Sequence, residues 1–402
     1  MEKNKLRETL LLTLPLAFYY YLGPFRVIST ISYIISLPYL YRIKYTFKHA
    51  ILILICLTSL ILSFSFYENG IGYLYSLRLF LGTFLLLPFL TSLTHTNIKN
   101  ILKIIAISFA SITILERIII TINPDIILYL PNYNFSGGIR TFNLEYLNNF
   151  LMGVHSFGAN RTVSGTILLS LTIFMINYNK GINKTNIFIL IATLLCGSST
   201  TVLLLSILSI YYLFKSILVF LSNIDNYNFY KFSYIRFISY ITIIFIFSLF
   251  IYLSRSADFS SLRNLTLTYV IFVFELKQYL INYYLEYTTL WGFMFGSNVM
   301  NSSIVDTSSS GAFTIFGDFF LLEMIARLGF TSFLIYLYAI IYSSKSKVFI
   351  SILILFLGSI HYFVIFSGPG QLIFALLLTL AIKENKKKME FRKKIIKLNT
   401  LN

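Results

Sequence analysis

The sequence has few charged residues for its length. Asp, Glu, Lys and Arg make up 12% of its 402 residues, against about 25% in an average soluble domain. Hydrophobic residues make up 57% of the chain. A soluble protein of this size could not cover its surface with so little charge, so the composition predicts that a lipid bilayer is the solvent for much of the chain.

Cysteine and histidine are also scarce. The two cysteines, Cys56 and Cys196, lie in apolar runs, which excludes a disulfide framework and a CxxC metal site. The four histidines have no ligand spacing, and no DxD-like acidic pair is present. Phosphate-binding and dinucleotide-binding glycine motifs are missing too. We therefore expect no metal and no cofactor.

Positive charge exceeds negative charge, with a formal net charge of +17. The cations lie mostly in short links between apolar runs and in the basic C-terminal segment 383–402. This pattern is typical of loops that face anionic lipid headgroups. No basic surface interleaved with stacking aromatic residues stands apart from it, so we expect no nucleic-acid partner.

Long apolar runs dominate the rest of the chain. A membrane-crossing helix needs about 20 apolar residues, and about twelve runs are candidates. These candidate spans are 9–22, 27–41, 49–66, 73–93, 102–122, 163–178, 186–199, 202–221, 237–253, 319–342, 348–366 and 371–382. The sequence predicts an all-α, polytopic membrane protein that forms a single domain over residues 1–402.

The distribution of Lys and Arg predicts the orientation of these spans. Every second link is basic, as at Arg42 and Lys44 or at Lys180 and Lys184, whereas the alternate links are poor in cations. By the positive-inside rule both termini are cytoplasmic. The expected location is the inner (cytoplasmic) membrane of a bacterial cell.

Two links are long, and both fall on the outer side. They cover residues 123–162 and 254–318 and are rich in Tyr, Phe, Asn and Ser, side chains that stack on sugars and hydrogen-bond to them. The second link contains an apolar stretch interrupted by Glu275, Lys277 and Glu286, which predicts an amphipathic helix at the membrane interface.

A few charged residues are candidates for chemistry. Arg161, Arg255 and Arg263 converge by topology, and arginine holds a diphosphate through a bidentate fork; pairing with headgroups or with an acidic loop residue explains them equally well. Asp318 is placed either to deprotonate a sugar hydroxyl or to cap a helix, and the residue alone favours the cap.

Five further charges fall within apolar runs. They are Arg78, Glu116, Arg117, Glu323 and Arg327. Charges at membrane depth are functional candidates by default. For the last four a structural role is favoured: Glu323 and Arg327 are spaced for a helical ion pair, and Glu116 and Arg117 lie near a span end where they could snorkel.

Several segments together resemble the O-antigen polymerase and ligase family (the Wzy and WaaL type). These segments are FGANRTVSG with Arg161, LLCGSST with Gly197 and Ser198, SRSADFSSLRN with Arg255 and Arg263, TLWGFMFGSN with Gly292 and Gly296, and GDFFLLEMIARLGF with Asp318 and Gly329. Two positions depart from the family pattern: Thr200 or its neighbours replace an arginine, and Arg327 replaces a glutamate. Aspartate at 318 favours a polymerase over a ligase.

The resemblance implies a GT-C-like helical bundle that joins saccharide units carried on undecaprenyl diphosphate into O-antigen or capsular polysaccharide, without nucleotide or metal. The partners implied are the lipid-linked glycan and the bilayer, and a chain-length regulator protein is a candidate. The site residues implied are Asp318, Arg161, Arg255 and Arg263 for catalysis and Ser164, Arg140, His155, Gly292 and Gly296 for substrate binding.

Two alternatives stay open. The first is a ligase of the same family, which differs in its acceptor. The second is a polysaccharide flippase or other transporter, which should place polar residues or broken helices at mid-bilayer. The polar residues gather in two outer links, which favours surface chemistry.

Overall fold

The computed structural model describes most of the chain outside the long links. The described residues are 2–42, 70–134, 153–158, 160–179, 183–222, parts of 275–296, 319–360 and 362–399. Every regular element within them is helical, so the all-α prediction is confirmed for this part of the chain. The predicted spans 49–66 and 237–253 lie outside the described residues.

The α-helices of the described residues have the following bounds. In chain order they are α1 Glu2–Ala17, α2 Thr30–Ser36, α3 Gly70–Ser92, α4 His95–Ile122, α5 Pro131–Asn134, α6 Arg161–Asn179, α7 Lys184–Leu195, α8 Ser199–Ser222, α9 Leu290–Phe295, α10 Phe320–Leu328, α11 Phe330–Ser343, α12 Phe349–Gly358 and α13 Gly368–Asn399. Four 3-10 segments join them: Gly23–Ser29, Leu37–Arg42, Pro124–Tyr129 and Ser156–Gly158.

Helices α6 and α13 form the centre of the bundle. Residues 162–175 of α6 and 372–381 of α13 are buried, and α13 contacts α1, α3, α4, α11 and α12. Both segments consist of apolar and small hydroxyl-bearing residues and carry no charge on any side, which is the pattern of a helix enclosed by other helices. The other described helices pack around these two.

Helix α4 has the length and composition of a membrane-crossing helix. It is the one helix among the described residues that meets both criteria, with a mean hydropathy of 2.0 in its most apolar stretch. Several shorter apolar helices, such as α7 and α11, fall below the length limit. The described residues thus indicate membrane association through one helix, and the other crossings stay predictions.

The predicted span 27–41 is helical throughout, with α-helix at residues 30–36 between 3-10 segments that each contain a proline, Pro24 and Pro38. Two other predicted spans are not continuous helices, and those predictions are wrong in detail. The run 319–342 breaks at Gly329, which has a φ of +81°. In the run 348–366 the helix ends at Gly358.

The basic C-terminal segment continues α13 as a helix up to Asn399. Its first residues are held by backbone carbonyls in the last turns of α3 and α11: Lys383 Nζ donates to the Thr91 carbonyl at 2.9 Å, and Asn385 Nδ2 donates to the Tyr342 carbonyl at 2.8 Å. The base of this segment is therefore fixed to the bundle.

The second long link contains helical residues where the amphipathic helix is predicted. The described residues between 275 and 286 are helical. Leu280 and Tyr284 are buried against α10, whereas Glu275 and Glu286 are exposed. This helix has the two faces that the sequence predicts; its position at a membrane interface stays a prediction.

Candidate functional site

Residues 153–158 form a buried turn that leads into α6. A Cβ atom at Gly153 would overlap the backbone carbonyl of Cys196, so the turn lies directly on the α7–α8 corner. Two segments that carry the family resemblance, around Arg161 and around Gly197, are therefore packed side by side. Glycine is needed at position 153 because only a residue without a Cβ permits this approach.

Small and hydroxyl-bearing residues join the same two segments. Ser198 Oγ donates to Thr162 Oγ1 at 2.9 Å. A Cβ atom at Gly165 would lie 2.5 Å from Thr201 Oγ1. The start of α6 and the start of α8 thus form one close-packed corner beneath Arg161.

The Ser164 hydroxyl is used within the chain. It donates to the His155 carbonyl and accepts the Gly158 N–H at 2.9 Å, and the side chain is fully buried. The resemblance implies a substrate contact for Ser164, whereas the structure shows it closing the 153–158 turn onto α6. Its visible role is to position that turn.

Glu116, near the end of α4, is buried and accepts three hydrogen bonds. The Ser156 N–H donates to Oε1 at 2.8 Å, and the Tyr21 hydroxyl and the Asn132 amide donate to Oε2 at 2.7 and 3.1 Å. Glu116 is 5% exposed and Arg117 is 6% exposed, so the prediction that they snorkel is wrong. Burying a carboxylate costs free energy, which its donors must offset.

Ser156 is the point where Glu116 fixes the turn. Its φ of 51° is unusual for a residue with a side chain and costs on the order of 1 kcal/mol or more. Its hydroxyl shares a hydrogen bond with Thr113 Oγ1 at 2.7 Å, and Asn132 Nδ2 donates to its carbonyl at 2.9 Å. These bonds hold the backbone of the turn in one geometry.

Arg161 is the first residue of α6 and is partly exposed. Asn160 Oδ1 accepts the Thr162 N–H at 2.7 Å and so caps the helix. No carboxylate in the described part of the chain forms an ion pair with Arg161. The helix dipole disfavours a cation at this position, so the guanidinium and the dipole together form a place that attracts an anion.

The His155 side chain is buried beside Arg161. Burial, and secondly the Arg161 charge, lower the pKa of the imidazole to about 3. The ring is therefore neutral at physiological pH. Any substrate contact of His155, as the resemblance implies, would involve a neutral ring that is 8% exposed.

We expect acid to destabilise the fold through His155. The imidazole pKa is about 6.5 in the unfolded chain and about 3 in the folded protein, so between these values the unfolded state binds the proton more readily. The free energy of unfolding should fall below pH ~6.5 by roughly 1.4 kcal/mol per pH unit and level off near pH ~3. Thermal unfolding in detergent, from neutral to mildly acidic pH, measures this. An equal loss in His155→Gln, which cannot titrate at this position, would contradict the prediction.

The predicted glycines of the second long link pack against the α10–α11 corner. Gly296 has a φ of +100°, and a Cβ atom there would lie 2.5 Å from the Arg327 carbonyl oxygen. A Cβ atom at Gly329 would overlap the Met294 carbonyl. Gly292 is buried in α9. The structure thus shows a packing role for these glycines, and their contact with substrate stays a prediction.

The charges within α10 form the ion pair that their spacing predicts. Arg327 Nη2 lies 2.9 Å from Glu323 Oε1, one helical turn away. The structural interpretation of this pair is confirmed. The Arg327 guanidinium already has a carboxylate partner, whereas Arg161 forms no ion pair with any described residue.

Four predicted site residues lie outside the described part of the chain: Arg140, Arg255, Arg263 and Asp318. The first turn of α10 follows directly after Asp318. There the Phe320 ring packs 5.4 Å from the Phe363 ring and 5.7 Å from the Phe366 ring. The first turn of α10 is therefore packed against the turn that precedes α13.

Sequence reasoning missed the partners that hold the turn, namely Tyr21, Asn132 and Ser156. Tyr21 and Glu116 are 95 positions apart, and no local pattern connects them. The available signal was the run of three tyrosines at 19–21, a polar group at the end of an apolar run.

The described residues contain no group of three or more His, Cys, Asp or Glu side chains that could hold a metal ion. This end of the bundle has Arg161 at a helix N-terminus, the neutral His155 and a turn that Glu116 holds through Ser156. No family model, curated protein or solved structure matches the chain.

Proposed function

We propose that the protein is a membrane-embedded polymerase that joins oligosaccharide units carried on undecaprenyl diphosphate into O-antigen or capsular polysaccharide, at the outer face of the cytoplasmic membrane. The observation that carries the proposal is the placement of Arg161. Its guanidinium lies at the positive end of α6 and has no carboxylate partner among the described residues. A diphosphate fits this combination of fixed charge and helix dipole.

The reaction is a glycosyl transfer from a lipid diphosphate to a sugar hydroxyl. The bond between the sugar C1 and the diphosphate oxygen breaks, and its electron pair leaves with undecaprenyl diphosphate. A new bond forms between C1 and the acceptor oxygen, whose proton passes to a base; Asp318 is the candidate from the sequence. Negative charge develops on the leaving group, and a fixed guanidinium beside it lowers the barrier.

The bracing of the turn supports this role for Arg161. Glu116 holds Ser156, and Ser164 closes the turn onto the first residues of α6. A catalytic charge is effective when its surroundings already fix its position. The buried hydrogen bonds of the 153–158 turn fix the start of α6 in this way, and we expect no contact between these buried groups and the substrate.

Deleting the gene in its own bacterium tests the proposal against its two rivals. Loss of a polymerase should leave glycolipids that carry single repeat units. Loss of a ligase would leave long polymer on undecaprenyl diphosphate, and loss of a flippase would leave single units in the cytoplasmic leaflet. Gel electrophoresis of the glycolipids and mass spectrometry of the extracted carrier lipids separate the three results, and either of the last two would overturn the proposal.

A further inference from the structure

Arg78, like Arg161, forms no ion pair with an acidic residue in the described part of the chain. It lies within the apolar helix α3, where its Nη2 donates to Ser29 Oγ at 3.1 Å and its Cζ lies 5.2 Å from the centre of the Tyr19 ring. Neither ion pair found in the described residues includes it. A charge inside an apolar helix is costly, and such residues commonly bind a ligand or line its path.

The described neighbours of Arg78 are polar but uncharged. Gln371 Nε2 donates to the Arg78 carbonyl at 3.0 Å, and Gln371 Oε1 accepts the Tyr33 hydroxyl. A Cβ atom at Gly82 would lie 2.7 Å from Gln371 Oε1, so glycine at 82 leaves room for this amide. These neighbours fix the helix around Arg78 and provide hydroxyl groups, but no negative charge.

The tyrosine run at 19–21 connects Arg78 with the turn below Arg161. Tyr19 contacts the guanidinium of Arg78, and Tyr21 donates to Glu116, which holds that turn. The three consecutive tyrosines 19–21 thus lie next to both Arg78 and Glu116. Arg78 and Arg161 therefore belong to the same end of the bundle, the end that the distribution of basic links places outside.

The segment opposite Arg78 is suited to an amphipathic ligand. Ser29 and Tyr33 are buried on the side of Arg78, whereas Val27 is 74% exposed and Ile34 is 58% exposed. A molecule with a charged head and a hydrocarbon chain could place the head on the guanidinium and the chain along this apolar surface. A polyprenyl diphosphate has both parts.

We propose that Arg78 binds the diphosphate of a second polyprenyl-linked molecule. This inference rests on the proposed function, because chain joining requires donor and acceptor lipids on the enzyme together, and Arg161 accounts for one diphosphate. A guanidinium binds phosphate oxygens in bidentate fashion. Anionic phospholipids offer the same phosphate chemistry, so the experiment must separate the two sources.

Native mass spectrometry of the full-length protein in detergent, with undecaprenyl diphosphate as the probe, tests the site. The wild type should bind a second molecule of the probe that Arg78→Gln lacks, with an affinity loss of about tenfold or more at that site. Arg161→Gln should lose one molecule as well and keep the one at Arg78. Equal binding by wild type and Arg78→Gln would overturn the inference.

Two variants and one competitor complete the design. Arg78→Lys keeps the charge without the planar fork and should bind with intermediate affinity, so it carries the test if Arg78→Gln does not fold. Tyr33→Phe removes the hydroxyl that contacts both Gln371 and Arg78 but keeps the guanidinium, and it should retain the second molecule. Displacement of that molecule by an equal concentration of phosphatidylglycerol would overturn the assignment to a diphosphate.

This experiment separates the inference from the proposed function, because binding requires no polymerisation. A protein that binds both molecules in this way but whose gene deletion leaves polymer length unchanged would refute the function and support Arg78 as a diphosphate site. A polymerase whose second molecule persists in Arg78→Gln would refute the site alone.

Discussion

Arg161→Ala should abolish polymer formation while single repeat units persist on the carrier lipid. The reason is the charge that develops on the departing diphosphate, which Arg161 is placed to offset at the start of α6. Loss of one such group typically slows the chemical step by about 10²–10³-fold. Arg161→Lys should restore only part of the rate, because lysine is a point charge without the bidentate fork. Gel ladders of glycolipids and initial rates in isolated membranes measure both variants.

Lys184→Ala is a matched control for this experiment. Lys184 is also a basic first residue of a helix, α7, and it is exposed at the opposite end of the bundle from Arg161. Its removal changes the net charge equally and should leave the ladder unchanged. A normal ladder in Arg161→Ala, or an equal loss in Lys184→Ala, would refute the specific role of Arg161.

Glu116→Ala should cost the largest amount of stability among single polar substitutions at this end of the bundle. It leaves the Tyr21 hydroxyl, the Asn132 amide and the Ser156 N–H without their shared acceptor. Breaking a buried charged cluster in this way typically costs about 3–5 kcal/mol. Denaturant or thermal unfolding in detergent micelles measures the loss.

Two further variants show whether the loss comes from the cluster. Tyr21→Phe removes a single donor and should cost about 1.5–3 kcal/mol, the usual value for a hydrogen bond to a charged group. Glu286→Ala removes an exposed carboxylate and should change stability by less than about 0.5 kcal/mol. If Glu116→Ala unfolds no more easily than Glu286→Ala, the turn does not depend on the carboxylate.

Composition and local patterns predicted the class of fold and several individual positions. The apolar run 102–122 lies within α4, and the spacing of Glu323 and Arg327 predicted their ion pair. The predicted span 163–178 begins two residues after Arg161, and the helix α6 begins at Arg161 itself. These features depend on residues within a few turns of one another, which a single sequence displays directly.

The features that sequence reasoning missed depend on distant contacts. Glu116 near a span end has the pattern of a snorkelling residue. It is buried only because the turn after α1, the helices α4 and α5 and the 153–158 turn meet around it. The break at Gly329 was missed because an apolar run does not show a positive φ; the close approach of Met294 requires it. Neither fact can be obtained from periodicity.

The length of α13 has a mechanical consequence. A helix rises about 1.5 Å per residue, so its 32 residues span about 48 Å, whereas a hydrocarbon core is about 30 Å thick. If α13 crosses the bilayer, about a third of its length lies outside the hydrocarbon core, as a helix that carries the lysines near the C-terminus. Because Lys383 and Asn385 donate hydrogen bonds to the last turns of α3 and α11, the part of α13 that lies outside is mechanically coupled to these two helices.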